Sequence, residues 1–296
     1  YCLDGFYVLT QTASINVSQQ ADQENGSPFN IRLLQNQAAA QRMGVAQILE
    51  SVNCKDLRGQ LTAMAARVRF STAAPLRYAI LEWTGSADAV TSDVVLDWTS
   101  ASYTAGGFFL AANLTVAAVG TLTPGAATWA DLTTLSATLG SAGNNVILFI
   151  WTEGTAAQNV TLDIARWRYG AGAVAPAFSQ PDYAVELARC QRYYYKTFPK
   201  ATAPAQNAGR SGAFEVGAVG GGSVSGGSLF FPVVMFASPT LTTYNPSVAN
   251  ANWRDFTGGL DRTVTVLDTA PNRVSLQAAA TAQSQIGIHV TAEASL

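Results

Sequence analysis

Met64-Ala65-Ala66-Arg67-Val68-Arg69-Phe70 is the stretch that decides the fold class. Met64, Ala66, Val68 and Phe70 alternate with Ala65, Arg67 and Arg69, a period of two that turns one side of a strand into a core. Ala73-Ala74-Pro75 interrupts the pattern, and Leu76 to Trp83 resumes it as the next strand. Further strands are expected at Val94–Trp98, Phe108–Ala111, Trp129–Leu135, Val146–Trp151 and Val160–Tyr169. Gly106-Gly107, Pro124-Gly125 and Gly143-Asn144 supply turns between them. Short strands at such regular spacing predict a sandwich or jelly roll. Within Gln35–Glu50, Ala38-Ala39-Ala40 favours a short helical turn.

Ala175-Pro176-Ala177-Phe178-Ser179-Gln180-Pro181-Asp182 is a connector punctuated by proline. Pro181-Asp182 is a helix start, and Val185, Leu187 and Ala188 line one face of a two-turn helix. Arg189 and Arg192 near its end suit the helix dipole, and Tyr193-Tyr194-Tyr195 then begin a strand. Phe214–Val219, Leu229–Phe236, Thr240–Tyr244, Thr263–Asp268, Arg273–Leu276 and Ile286–Ala292 predict a second, smaller antiparallel sandwich. Pro232 marks an edge strand or a bulge. The Gly-rich run 217–228 lacks lysine and a following helix, so it reads as a mobile loop and not as a phosphate cradle. The expected fold is all-β: two β-sandwich, jelly-roll-like domains, residues 1–180 and 181–296, joined by a short helix.

Two runs show no polar side: Val146-Ile147-Leu148-Phe149-Ile150-Trp151 and Leu229-Phe230-Phe231-Pro232-Val233-Val234-Met235-Phe236. A sandwich strand ordinarily keeps one face wet. The economical cover for the second face is another copy of the chain, which makes Ile147, Phe149, Trp151 and Phe231 candidate oligomer-interface residues.

Charged residues make up only 12% of the 296, about half the usual share, and the net charge is −2. A surface of hydroxyls and amides suits an assembled structural protein, a sugar binder or an adhesin. Lys55, Lys196 and Lys200 are the only lysines and do not cluster, so no nucleic-acid partner is expected. No apolar run approaches a membrane span, and membrane insertion is not expected. Cys2, Cys54 and Cys190 have no metal-like spacing; free thiols are expected, a Cys2–Cys54 bridge being the alternative.

Catalytic groupings are scarce. His289 is the single histidine, lies in an apolar strand, and follows no nucleophile elbow. It reads as structural, and neither a metal site nor a cofactor is expected. Glu82, Asp88, Asp93 and Asp97 fall together in a long loop. They are read as turn stabilisers, with a hydrolytic pair, a calcium site or contacts to sugar hydroxyls as alternatives. Trp83 and Trp98 bracket this loop, Tyr103 follows it, and Trp253 sits in the loop-like Asn250-Ala251-Asn252-Trp253-Arg254-Asp255. Trp83, Trp98, Tyr103 and Trp253, with Asp93, are the candidate carbohydrate-binding residues. Trp129, Trp151 and Trp167 lie in strand patterns and are assigned to packing.

Ala184-Val185-Glu186-Leu187-Ala188-Arg189-Cys190-Gln191-Arg192-Tyr193-Tyr194, after its Pro-Ala-Phe connector, resembles bacteriophage and prophage virion proteins of the tail-fibre or head-fibre kind. In that family a jelly roll similar to carbohydrate-binding modules precedes the motif and a smaller β domain follows it. Leu57-Arg58-Gly59-Gln60-Leu61-Thr62-Ala63-Met64 resembles the lead-in to an early sheet strand of such modules, and the resemblance puts another strand near Val45–Glu50. It further implies a homotrimer located in the virion, with other virion proteins and a host cell-surface glycan as partners. The family's outward strand face often carries an aromatic platform, where this chain has Arg67, flanked by Arg69. That departure makes both arginines candidates for pairing with a neighbouring copy. Tyr1 in place of Met implies upstream residues, and Ile288–Leu296 resembles the family's closing strand. The leading expectation is a non-catalytic fibre subunit that binds host carbohydrate. A purely structural decoration or collar fibre and a polysaccharide-degrading tail spike are the alternatives.

Overall fold

The computed structural model of the chain describes residues 5–21, 27, 29–90, 93–180, 182–219, 222, 224–279 and 283–294. It is almost entirely β, in antiparallel sheets, and divides into two compact units, Leu3–Gln180 and Pro181–Ser295.

In the first unit the strands are β1 (Phe6–Thr10), β2 (Asn16–Gln20), β3 (Asn30–Leu34), β4 (Met43–Leu49), β5 (Leu61–Phe70), β6 (Leu76–Trp83), β7 (Leu114–Leu122), β8 (Thr128–Asp131), β9 (Leu135–Thr138), β10 (Asn145–Thr152) and β11 (Thr161–Ala171). One sheet runs β1-β4-β10-β6-β7; the other runs β2-β3-β11-β5, with β8 and β9 sharing the far edge of β5. The alternation read in β5 is borne out: Met64, Ala66, Val68 and Phe70 enter a core shared with Val45, Tyr78, Ile80, Leu148, Ile150 and Ile164. β4 takes the strand expected near Val45–Glu50, while Ala38 and Ala39 form a bend and not a helical turn. Val94–Trp98 and Phe108–Ala111 are not strands; they face each other around an isolated bridge between Val95 and Phe109.

That segment explains the strand without a polar side. Ile147, Phe149 and Trp151 are fully buried, but the cover is the chain itself. Residues 84–90 and 93–113 fold back over the first sheet and set Val90, Val94, Val95, Phe108 and Phe109 against Ala46, Ile48, Ala79 and Leu81. The flap is held to itself by Leu96 N–H donating to the Phe108 carbonyl at 2.9 Å and Leu110 N–H to that of Val94 at 3.1 Å. The first unit therefore has three layers, and the assignment of these three residues to an oligomer interface is corrected.

The second unit opens with the helix Tyr183–Gln191, and the first unit holds a single helical turn at Ser51–Cys54. Asp182 caps it, its Oδ1 accepting from the N–H groups of Ala184 at 2.8 Å and Val185 at 3.3 Å. None of its residues is buried, so Val185 and Leu187 do not pack as the pattern predicts. The strands are β12 (Tyr194–Lys196), β13 (Phe214–Ala218), β14 (Val224–Phe230), β15 (Thr240–Tyr244), β16 (Trp253–Asp255), β17 (Asp261–Arg262), β18 (Thr265–Ala270), β19 (Arg273–Ala279) and β20 (Ser284–Glu293). β20 is the hub, pairing with β12 and β15 along one half and with β13 and β16 along the other. β14, β19 and β18 form a second sheet, whose Val274, Leu276 and Ala278 share a core with Ile286, Ile288 and Val290.

Two further expectations fail in this unit. Most of the glycine-rich run forms strand: β14 starts at Val224 and ends at Phe230. Phe231 to Phe236 then leave the sheet, and Phe231, 8% exposed, packs inside the unit against Tyr195 at 5.4 Å. Phe231 is therefore a core residue and not an interface one.

Candidate functional site

Three of the five candidate sugar contacts have structural duties. Trp83 is 9% exposed and donates its indole N–H to the Ser86 carbonyl at 2.9 Å. Trp253 starts β16 with no exposed surface and lies against Phe214, so it is a core residue and not a loop platform. Asp93 is exposed, but its Oδ1 accepts from the Val95 N–H at 3.2 Å and stabilises its own turn; its neighbours 91 and 92 lie outside the described residues. The other acids of this stretch are also engaged, Asp97 locally and Glu82 and Asp88 by distant segments. Asp97 accepts from the Thr99 N–H and hydroxyl, and Glu82 accepts from the Gly140 N–H. Burial opposes ionisation of Asp88, yet bonds from Ser51 and Asn145 hold its carboxyl below the usual range.

Trp98 and Tyr103 are the candidates that the fold brings together. Both are half-buried in the flap and both contact Phe108, with ring centroids at 5.6 and 5.5 Å. Below Tyr103 lies the rim of the first sheet. The Arg77 guanidinium sits 4.4 Å from the Tyr103 ring centroid and makes a two-pronged bond to Glu153 at 2.8 and 2.9 Å. Arg77, bonded to it, holds the Glu153 carboxyl below the ordinary glutamate range, and Tyr103 and Arg42 add to that effect. The patch thus offers the Tyr103 ring beside a fixed cation and a fixed carboxylate, with the Trp98 ring packed on the same Phe108. Arg77 and Glu153 have no marked signal in the sequence, because their pairing depends on the ends of β6 and β10 meeting.

The second sheet presents a different outward face. Register places Arg69 beside Asp163 and Trp129, and Arg67 beside Ala165 and Asp131. Asp163 is 1% exposed and is gripped from both sides, by Arg32 at 2.6 and 2.9 Å and by Arg69 at 2.7 and 2.9 Å. Arg67 lies 3.7 Å from Asp131. Both arginines thus have partners within the chain. Trp129 is half-exposed under the Arg69 guanidinium, 4.9 Å from its centroid, and is not the core residue its strand pattern predicts. One extra residue in β11 between Ala165 and Arg168, with Arg166 at φ 52°, turns Trp167 toward Phe6 and sets Arg168 opposite Ala65.

His289 is fully buried and stacked on Phe198 at 4.1 Å. Its Nε2–H donates to the Gly209 carbonyl at 2.9 Å, which leaves Nδ1 to accept from the Thr197 hydroxyl at 3.0 Å. Burial pulls its pKa below the ordinary value. The unfolded chain therefore takes up a proton that the fold refuses, and stability falls as pH drops below about 6.5. Urea denaturation from about pH 7 to 5 is expected to show this loss, with a flatter profile in His289→Asn; an equal slope in both proteins would remove His289 as its source. Cys54 is a buried free thiol, pushed up to about 11 by burial, and Cys2 lies outside the described residues.

No protein-family model matches the sequence, and neither does any curated protein. Several solved β proteins resemble the chain weakly. A family 61 carbohydrate-binding module in complex with β-1,4-galactotriose gives a TM-score of 0.35 at 8% identity, over 56% of this chain and 88% of that one. The C-terminal family 22 carbohydrate-binding module of Clostridium thermocellum Xyn10B gives 0.35 at 11% identity, over 57% and 87%. The enzymatically active domain of bacteriophage CBA120 tailspike protein 4 gives 0.34 at 10% identity, over 57% of this chain and only 19% of that one. Likeness at this level says nothing of what the present chain binds.

Proposed function

We propose that this chain is a non-catalytic, glycan-binding subunit of a phage or prophage virion fibre, directed at host surface carbohydrate. The observation that carries the binding part is the patch of Trp98 and Tyr103 beside the Arg77–Glu153 pair. Half-buried aromatic rings offer flat apolar faces to the C–H side of a pyranose, and a fixed guanidinium and carboxylate donate to and accept from its hydroxyls. A flap backed by a buried aromatic layer holds these groups without ordering cost on binding. The virion assignment rests on the sequence resemblance around Ala184–Tyr195. Contacts of this shallow kind are individually weak, so several copies on one particle would give adsorption its strength.

A glycan array followed by calorimetry on the strongest hit tests the binding part. Tyr103→Ala and Trp98→Ala are each expected to weaken binding by roughly tenfold or more, at an unfolding midpoint still well above the assay temperature. Undiminished binding in both variants would remove this patch from the reading. Release of reducing ends from host polysaccharide would replace a binder with a degrading spike.

A further inference from the structure

The bulge in β11 opens a pocket. β3 and β11 pair from Leu34–Thr161 to Ile31–Ile164, and the paired register ends where the extra residue enters. Around that point Phe29 and Ile31 on one side, and Ile164, Arg166 and Trp167 on the other, join Phe6 of β1 to line a space of about 150 Å³ that is open to solvent. Several irregularities meet here. Arg166 is held at φ 52°, a left-handed conformation that is costly for any residue with a Cβ. Its Nε is buried without a hydrogen-bond partner among the described residues, and so is the indole nitrogen of Trp167. The other walls are aromatic or aliphatic, with the Phe6 and Trp167 rings edge-on at 5.4 Å. Orphaned donors and a strained backbone each lower the stability of the empty fold, and such departures cluster where a ligand is taken.

The lining defines the occupant. An apolar cavity of about 150 Å³ admits one group about the size of benzene. The spare nitrogens of Arg166 and Trp167 are donors, so that group must accept hydrogen bonds. A carboxylate would lose its hydration among these walls with a single guanidinium to offset the loss. A hydroxyl brings a proton of its own that needs an acceptor. An acetamido group meets each demand: its carbonyl oxygen accepts from the donors, its methyl group lies against the apolar walls, and its N–H stays toward the open side. We infer that this pocket is a second saccharide site, separate from the Trp98–Tyr103 patch, and that it takes the acetamido group of an N-acetylated amino sugar. The sugar rests on the glycan-binding reading; the acetamido group rests on the pocket.

Proton–nitrogen correlation spectra of the full chain, titrated with the methyl glycosides of N-acetylglucosamine, glucose and glucuronic acid, read the pocket directly. The Trp167 indole signal, assigned by its loss in Trp167→Phe, is expected to shift with the N-acetylated sugar and to stay in place with the other two. Trp167→Phe keeps a ring and removes an unpartnered donor. Its unfolding midpoint is therefore expected to match or exceed the native one, while affinity for the N-acetylated sugar falls roughly fivefold. Arg166→Gly suits the left-handed backbone, and is expected to keep the midpoint and weaken the same ligand. Binding of N-acetylglucosamine that persists in Tyr103→Ala separates the pocket from the patch. Trp167→Phe in turn leaves intact whatever glycan the patch takes, so either site can fail alone. An unmoved Trp167 signal, native affinity in Trp167→Phe, or equal affinity for glucose, glucuronic acid or a peptide bearing acetyl-lysine would overturn the inference.

Discussion

Trp151→Ala is expected to destabilise the first unit by about 3–5 kcal/mol, lowering its unfolding midpoint by roughly 10 °C for a domain of this size. The indole has no exposed surface and lies in the middle of a stack, 4.7 Å from Phe149 and 5.1 Å from Phe108, with interplanar angles of 14° and 18°. Phe149 and Trp151 are two residues apart on β10, so both point to the same side of the sheet. Gly44 faces them from β4, where an added Cβ would come within 2.6 Å of the Trp151 Cβ. Truncating the indole empties a site lined by β10 and the flap, which the surrounding strands cannot fill by small shifts. Trp151→Phe is expected to cost far less, because it keeps a stacked ring and removes an indole N–H that has no hydrogen-bond partner among the described residues. Denaturant melts at several protein concentrations decide the matter. A loss independent of concentration belongs to an internal layer; a native midpoint in dilute Trp151→Ala with weakened self-association would return the ring to a subunit interface.

This test bears on what the sequence could reveal. The alternation in Met64–Phe70 survives, because its apolar face meets one neighbouring sheet and the pattern records it, whereas Leu76–Trp83 is a strand covered on both faces. The apolar run Val146–Trp151 correctly signals cover on both faces, but a residue pattern does not say whether the cover is another copy or a distant part of the same chain. The clue was Val94-Val95 and Phe108-Phe109, two apolar pairs inside an otherwise Ser-, Thr- and Asp-rich stretch that reads as loop. Gly226 and Gly227 read as breakers yet lie in β14, where close approach excludes a larger residue: a Cβ on Gly226 would meet the Leu276 carbonyl oxygen at 2.4 Å. Pro232 ended the apolar run as a strand, since the chain leaves the sheet just before it. At the candidate sites, Trp98 and Tyr103 were legible as aromatics near a loop. Their partners Arg77 and Glu153, and the joining of Arg32, Arg69 and Asp163, depend on pairings between residues as much as 131 positions apart.

The Asp163 unit makes the second large prediction. Asp163→Asn is expected to cost about 3 kcal/mol, since it leaves two guanidinium groups side by side with no anion between them. The loss is greater than for a surface ion pair because the carboxylate is 1% exposed and receives bonds from both arginines. It stops short of the largest values because both arginine side chains retain contact with water and can turn toward it. Two features separate this account from a simple packing defect. Added salt is expected to recover part of the stability in Asp163→Asn, because it screens the repulsion left behind. Replacing all three groups together, Asp163→Leu with Arg32→Met and Arg69→Met, is expected to restore part of it, because the charges that met at Asp163 are removed together. A loss below about 1 kcal/mol in Asp163→Asn, with no response to salt, would place the triad among ordinary surface pairs. The arginines would then be held by the sheet's packing and not by the carboxylate.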